Sequence, residues 1–225
     1  MDDFADRRVF LKLAVLFEGG LMAASLALGW AFDIDLVAML RWNTAALAWG
    51  FAATLPLFAL FLASIRFRPK PIARIHEILM EILGPWLAAC RWYDLIVVAI
   101  LAGVGEELFF RGVLQVWLGD VGWLKTLPGP DAGLVLASVL FGLAHCITPA
   151  YALLAGLMGA YLGLLLDASG ERNLLGPILT HALYDYLAFL VVIRLYRRRG
   201  ADGFDDPDPP ENDAMTSRSD ASMDD

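Results

Sequence analysis

Apolar residues run almost unbroken from Val9 to Phe32, interrupted only by Lys12 and Glu18. A helix needs roughly 17–25 mostly apolar residues to cross the hydrocarbon of a bilayer. Further runs of this kind follow at about Thr44 to Ile65, Tyr93 to Leu118, Gly133 to Ile147, Tyr151 to Leu166 and Leu174 to Leu195. The fourth and fifth runs are short and joined only by Thr148-Pro149-Ala150. Proline there favours a tight turn, although one long span or a re-entrant pair also fits. Between the second and third runs the pattern changes. Ile72, Ile75, Ile78, Leu79, Ile82, Leu83 and Trp86 recur at helical spacing, with Arg74, Glu77 and Glu81 opposite. This periodicity predicts an amphipathic helix in the membrane interface, with His76 near its polar, solvated side. The whole pattern predicts an all-α, polytopic membrane helix bundle of about six spans plus that interfacial helix.

Composition sharpens the picture. The chain has 225 residues, 59% of them hydrophobic and 19% charged, with a mean hydropathy of +0.61. That is too apolar for an ordinary soluble domain. The net charge of −8 is carried by residues 200–225, which hold nine acidic groups against one basic residue, Arg218. The rest of the chain is balanced and lacks the basic footprint of a nucleic-acid binder. An integral membrane domain is therefore expected over residues 1–199. Residues 200–225, rich in Asp, Pro, Ser and Ala, read as a disordered acidic tail. The first apolar run is too long for a signal h-region and reads as a retained span. Basic residues cluster at Arg7, Arg8 and Lys12, at Arg66, Arg68, Lys70, Arg74 and Arg91, and at Arg194, Arg197, Arg198 and Arg199. Only Arg41, Lys125 and Arg172 mark the other loops, so both termini are expected to be cytoplasmic. Cys90 and Cys146 form no CxxC and are expected to be buried thiols.

The candidate chemistry begins with Glu106-Glu107-Leu108-Phe109-Phe110-Arg111, inside the third apolar run. Each ionised group at the bilayer centre costs roughly 2.5–3.5 kcal/mol on insertion scales, so such a cluster must face protein or trapped water. Glu107 and Arg111, four apart, stack as an ion pair, and a structural pair is the simplest role for them. Glu106 points about 100° away on a regular helix and has no local partner, which leaves it free to act as a general base. Two of the three histidines, His145 and His181, also fall in apolar runs. His145 follows Phe141 by four, and His181 precedes Asp185 by four, on one helix face. A lone intramembrane histidine commonly just bridges helices, but these groups together predict one shared polar site. Gly103, Gly105 and Gly112, with Gly156, Gly159 and Gly163, allow close helix approach.

These three motifs, in this order, resemble those of the CPBP family, which contains CAAX-processing proteases and bacteriocin-related (Abi) membrane proteins. The resemblance covers about residues 95 to 195. It implies an intramembrane endopeptidase acting on a membrane-anchored protein or peptide, in which Glu106 and His145 activate water while His181 and Asp185 support the tetrahedral intermediate. Family members cut prenylated CAAX tails, leader peptides or sorting helices, and nothing in this chain selects among them. The expected setting is a bacterial inner (plasma) membrane. An ionised Asp185 cannot donate to an oxyanion, so either it orients His181, which donates, or it is itself protonated. No cofactor is favoured, since the family is better described as glutamate-dependent. Glu106, His145 and His181 are nevertheless the donor types of a His₂Glu zinc site, without an HExxH motif. Buried Glu, His and Arg also build proton relays, so a proton-coupled transporter is one alternative. A non-catalytic membrane scaffold or immunity protein is another.

Overall fold

The computed structural model describes residues 6–122 and 131–202. It is helical throughout, with no strand among the described residues. Helix α1 (Arg7–Ala31) starts at Asp6, whose carboxylate accepts the Arg8 N–H. Asn43 caps α2 (Thr44–Phe67) in the same way, taking the orphan N–H groups of Ala45 and Ala46. Two short helices follow, α3 (Lys70–Ile82) and α4 (Gly84–Ala89). Then comes a continuous rod: α5 (Trp92–Glu107), a π-helical segment (Leu108–Gln115) and α6 (Val116–Asp120). Helices α7 (Ala132–Ala144) and α8 (Pro149–Leu165) form a hairpin, and α9 (Leu175–Asp202) closes the described chain.

Among the described residues three helices are, by length and composition, long and apolar enough to cross a membrane, namely α1, α2 and the Leu175–Arg199 stretch of α9. Their outward faces stay apolar and uncovered, as with Leu16 (73% exposed), Leu55 (70%) and Leu60 (68%). In water such a belt would be an aggregation surface; against acyl chains it is ordinary. The third apolar run lies within the continuous rod of residues 92–120, and the fourth and fifth make shorter helices. Helix α7 has 13 residues and α8 has 17. At 1.5 Å per residue these reach roughly 20 and 26 Å, short of a ~30 Å hydrocarbon core.

The central rod is clamped between α1 and α9, over a core of Leu36, Met39, Leu108, Val113, Leu166, Leu174 and Ile178. Arg7 grips both carboxylate oxygens of Asp94, with Nη2–Oδ1 at 2.6 Å, which ties the start of α1 to the start of α5. At the end of α9, Arg197 Nη2 donates to Ala88 O at 3.4 Å. The start of α1, the end of α4 and the end of α9 therefore share one end of the bundle.

Three local expectations are corrected. The amphipathic segment is two helices rather than one, because the chain breaks at Leu83 and Pro85, lacking an N–H, opens α4. His76 is half-buried instead of solvated: its ring meets Phe61 edge-on at 6.2 Å, and Nε2 lies 3.2 Å from Ser64 Oγ. Cys146 is exposed and Cys90 only partly buried, since the α7–α8 turn leaves Cys146 uncovered. The acidic tail expected from residue 200 lies, beyond Asp202, outside the described residues, as does Lys125.

Candidate active site

The site is built on a buried ion pair. Arg111 is 1% exposed and Glu107 0%, with Arg111 Nη1 2.7 Å from Glu107 Oε1. The guanidinium also donates through Nη2 to Gly159 O at 3.0 Å and lies 4.4 Å over the Phe141 ring. One turn on, Gln115 Nε2 donates to Gly163 O at 3.1 Å. Two side chains of the π-helical segment thus read two glycine carbonyls of α8. The glycines allow this, since a Cβ on Gly163 would sit 2.6 Å from Gln115 Oε1.

Glu107 has a second partner that its neighbours in the chain do not reveal. The same Oε1 accepts from His181 Nδ1 at 2.8 Å. His145 is anchored in the same manner by a different acceptor, with Nδ1 2.9 Å from Phe141 O. A carbonyl and an arginine-paired carboxylate can only accept, so both Nδ1 atoms carry hydrogen. Both rings therefore turn Nε2 to the remaining space, where a neutral imidazole presents a lone pair.

Glu106 lies in that space. Its Oε2 is 3.6 Å from His145 Nε2 and 3.9 Å from His181 Nε2, and it is buried without a hydrogen-bond partner. Asp185 Oδ2 lies 3.5 Å from His181 Nε2. Glu106, His145, His181 and Asp185 are thus brought to one place, and the Glu107–Arg111 pair forms its floor. His145 is not inside a helix: it caps the end of α7, where Thr148 then starts α8 by accepting the Tyr151 N–H. Its ring stacks on Phe141 at 4.4 Å.

Two residues of this region carry no motif. Tyr151 packs edge-on to His145, with centroids 6.5 Å apart. Glu18 of α1 is 8% exposed and lies against Gly105. The only sequence signal for Glu18 was its presence as an acid within an apolar run.

Glu106 Oε2 and the two Nε2 atoms are zinc-donor types, and both Nδ1–H groups are tied down as they are in metal-bound imidazoles. Yet among the described residues no three His, Cys, Asp or Glu side chains close around one point as a metal ion requires. What the arrangement can do without a metal is hold solvent between a carboxylate and two imidazoles.

Residues 85–187 match the family model described as type II CAAX prenyl endopeptidase Rce1-like. That segment contains Glu106, Glu107, Arg111, His145, His181 and Asp185. No curated protein and no solved structure matches the chain. Residues 85–187 of this chain are thus similar to the Rce1-like, CAAX-type proteases of the CPBP family, and its long apolar helices fit an integral membrane protein.

Proposed function

We propose that the protein hydrolyses a peptide bond of a membrane-associated protein or peptide with water activated by Glu106 and His145, without a metal. The observation that carries this reading is the unpaired, buried Oε2 of Glu106 facing two imidazole Nε2 atoms at 3.6 and 3.9 Å. Both separations exceed a direct hydrogen bond and suit a bridging solvent molecule. In the proposed cycle Glu106 takes one proton from water, while the hydrogen that stays on the oxygen is donated in a hydrogen bond to His145 Nε2. The hydroxide attacks the scissile carbonyl carbon. His181, with hydrogen on both ring nitrogens, keeps Nδ1–H on Glu107 and gives Nε2–H to the oxyanion. Asp185 faces the same Nε2 and favours that charged ring. Glu106 then returns its proton to the leaving amine as the C–N bond breaks.

Glu107 orients His181 in this scheme, a task a distant carboxylate commonly performs for a catalytic imidazole. Clustering of basic residues at the start of α1 and the end of α9, on one side of the bundle, supports a cytoplasmic location for that side. The test is quantitative terminal proteomics on membranes carrying wild-type protein or Glu106→Gln. New termini seen only with the wild type name the substrate and the bond. Identical termini in both samples overturn the proposal. Metal dependence has its own readout: zinc should be substoichiometric in purified active protein, and chelation should leave cleavage unchanged. Stoichiometric zinc, with activity lost to chelator and restored by metal, overturns the metal-free step.

A further inference from the structure

Glu18 stands apart from the motifs and outside the segment 85–187. It interrupts an apolar helix, is 8% exposed, and its Oε2 is buried without a hydrogen-bond partner. A buried acceptor left unpaired costs fold stability, and a purely structural carboxylate in a membrane helix is ordinarily paired. Its position is specific. A Cβ on Gly105 would lie 2.7 Å from Glu18 Oε2 and 3.1 Å from Glu18 O. Glycine at 105 is what lets α1 bring this carboxyl against α5, one residue before Glu106. From there it is within electrostatic reach of Glu106, His181 and Asp185.

A peptide presented to Glu106 inside the membrane must be unwound at the scissile bond, and each freed main-chain N–H needs an acceptor. Three buried carboxylate oxygens in this region lack a partner: Glu18 Oε2, Glu106 Oε2 and Glu107 Oε2. Glu106 is committed to water. Glu107 is fully enclosed and holds Arg111 and His181. We propose that Glu18 is a substrate-binding residue of this site, its carboxyl accepting a main-chain N–H of the extended peptide beside the bond to be cut. This rests on the protease reading above.

The test uses the full chain in bilayers and the termini that depend on Glu106. With a peptide spanning one such cleavage site as probe, Glu18→Leu should raise KM roughly tenfold or more, as expected for losing a hydrogen bond to a charged group, with kcat little changed, and Glu18→Gln, which keeps an acceptor oxygen without the charge, should raise it less. The melting temperature of Glu18→Leu should hold or rise, because an unpaired buried acceptor has been removed. Unchanged KM in both variants overturns the inference while the protease reading stands. A fall in melting temperature of Glu18→Leu that accounts for the lost cleavage makes Glu18 structural and overturns it too. Absence of any Glu106-dependent terminus removes the protease reading, and this inference with it.

Discussion

Glu107 Oε1 serves two donors at once, Arg111 at 2.7 Å and His181 at 2.8 Å, and substitutions around it should divide accordingly. Arg111→Met leaves a buried carboxylate with its main counter-charge gone. Breaking a buried pair in this way costs roughly 3–5 kcal/mol, so the variant should melt well below the wild type in a thermal scan. An unchanged melting temperature would mean that the pair does not hold the fold. Arg111→Lys keeps the charge but gives up the fork that reaches Glu107 and Gly159 O together. The pairing of Glu107 with Arg111 was readable from their spacing of four. That the same oxygen also orients His181 was not, because that partner is 74 residues away in the chain. Spacing rules see one helix at a time.

At the level of elements, the distance between Glu106 and His181 is set by how closely α5 approaches α9. Gly103 is the contact: a Cβ there would lie 3.0 Å from Ala182 Cβ and 3.0 Å from Ile178 O, tighter than ordinary packing. Gly103→Val should push the helices apart, costing roughly 1–3 kcal/mol by overpacking. A shift of the order of 1 Å at the site should lower turnover by about a hundredfold. Cleavage rate and melting temperature measured together check this; a rate near wild type would show that the helices tolerate the side chain. Helix α3 offers a pH-dependent element. Burial, and then the nearby Arg68, hold the His76 imidazole below its ordinary value. The folded state therefore binds this proton less readily than the unfolded chain does. Stability should be constant above about pH 6.5 and fall as the pH drops below it. His76→Gln should flatten that fall in melting scans between pH 7.5 and 5.5, and a slope identical to wild type would exclude His76 as its source. The hydrophobic periodicity located this helix and missed the break that Pro85 makes after Leu83, while the docking of His76 onto Phe61 and Ser64 depends on α2.

For the molecule as a whole, the apolar runs revealed a helical membrane protein, because lipid demands internally satisfied backbone and leaves helices as the simple solution. Helices α7 and α8 are apolar but short, and length along the sequence does not say how deep a hairpin sits. The polar residues were legible as a set because charge in an apolar run is expensive. Their convergence required three separate elements, and the role of Glu18 required knowing that α1 lies against Gly105. The proposed chemistry needs the unpaired carboxylate of Glu106 to be the base that activates water. The most direct measurement is the rate of peptide hydrolysis by purified Glu106→Gln in bilayers, against wild type, on a peptide spanning a bond identified in membranes. General-base catalysis contributes roughly 10²–10⁴-fold, so the variant should be slower by at least about a hundredfold while melting at the wild-type temperature. Hydrolysis by folded Glu106→Gln at the wild-type rate would contradict the account.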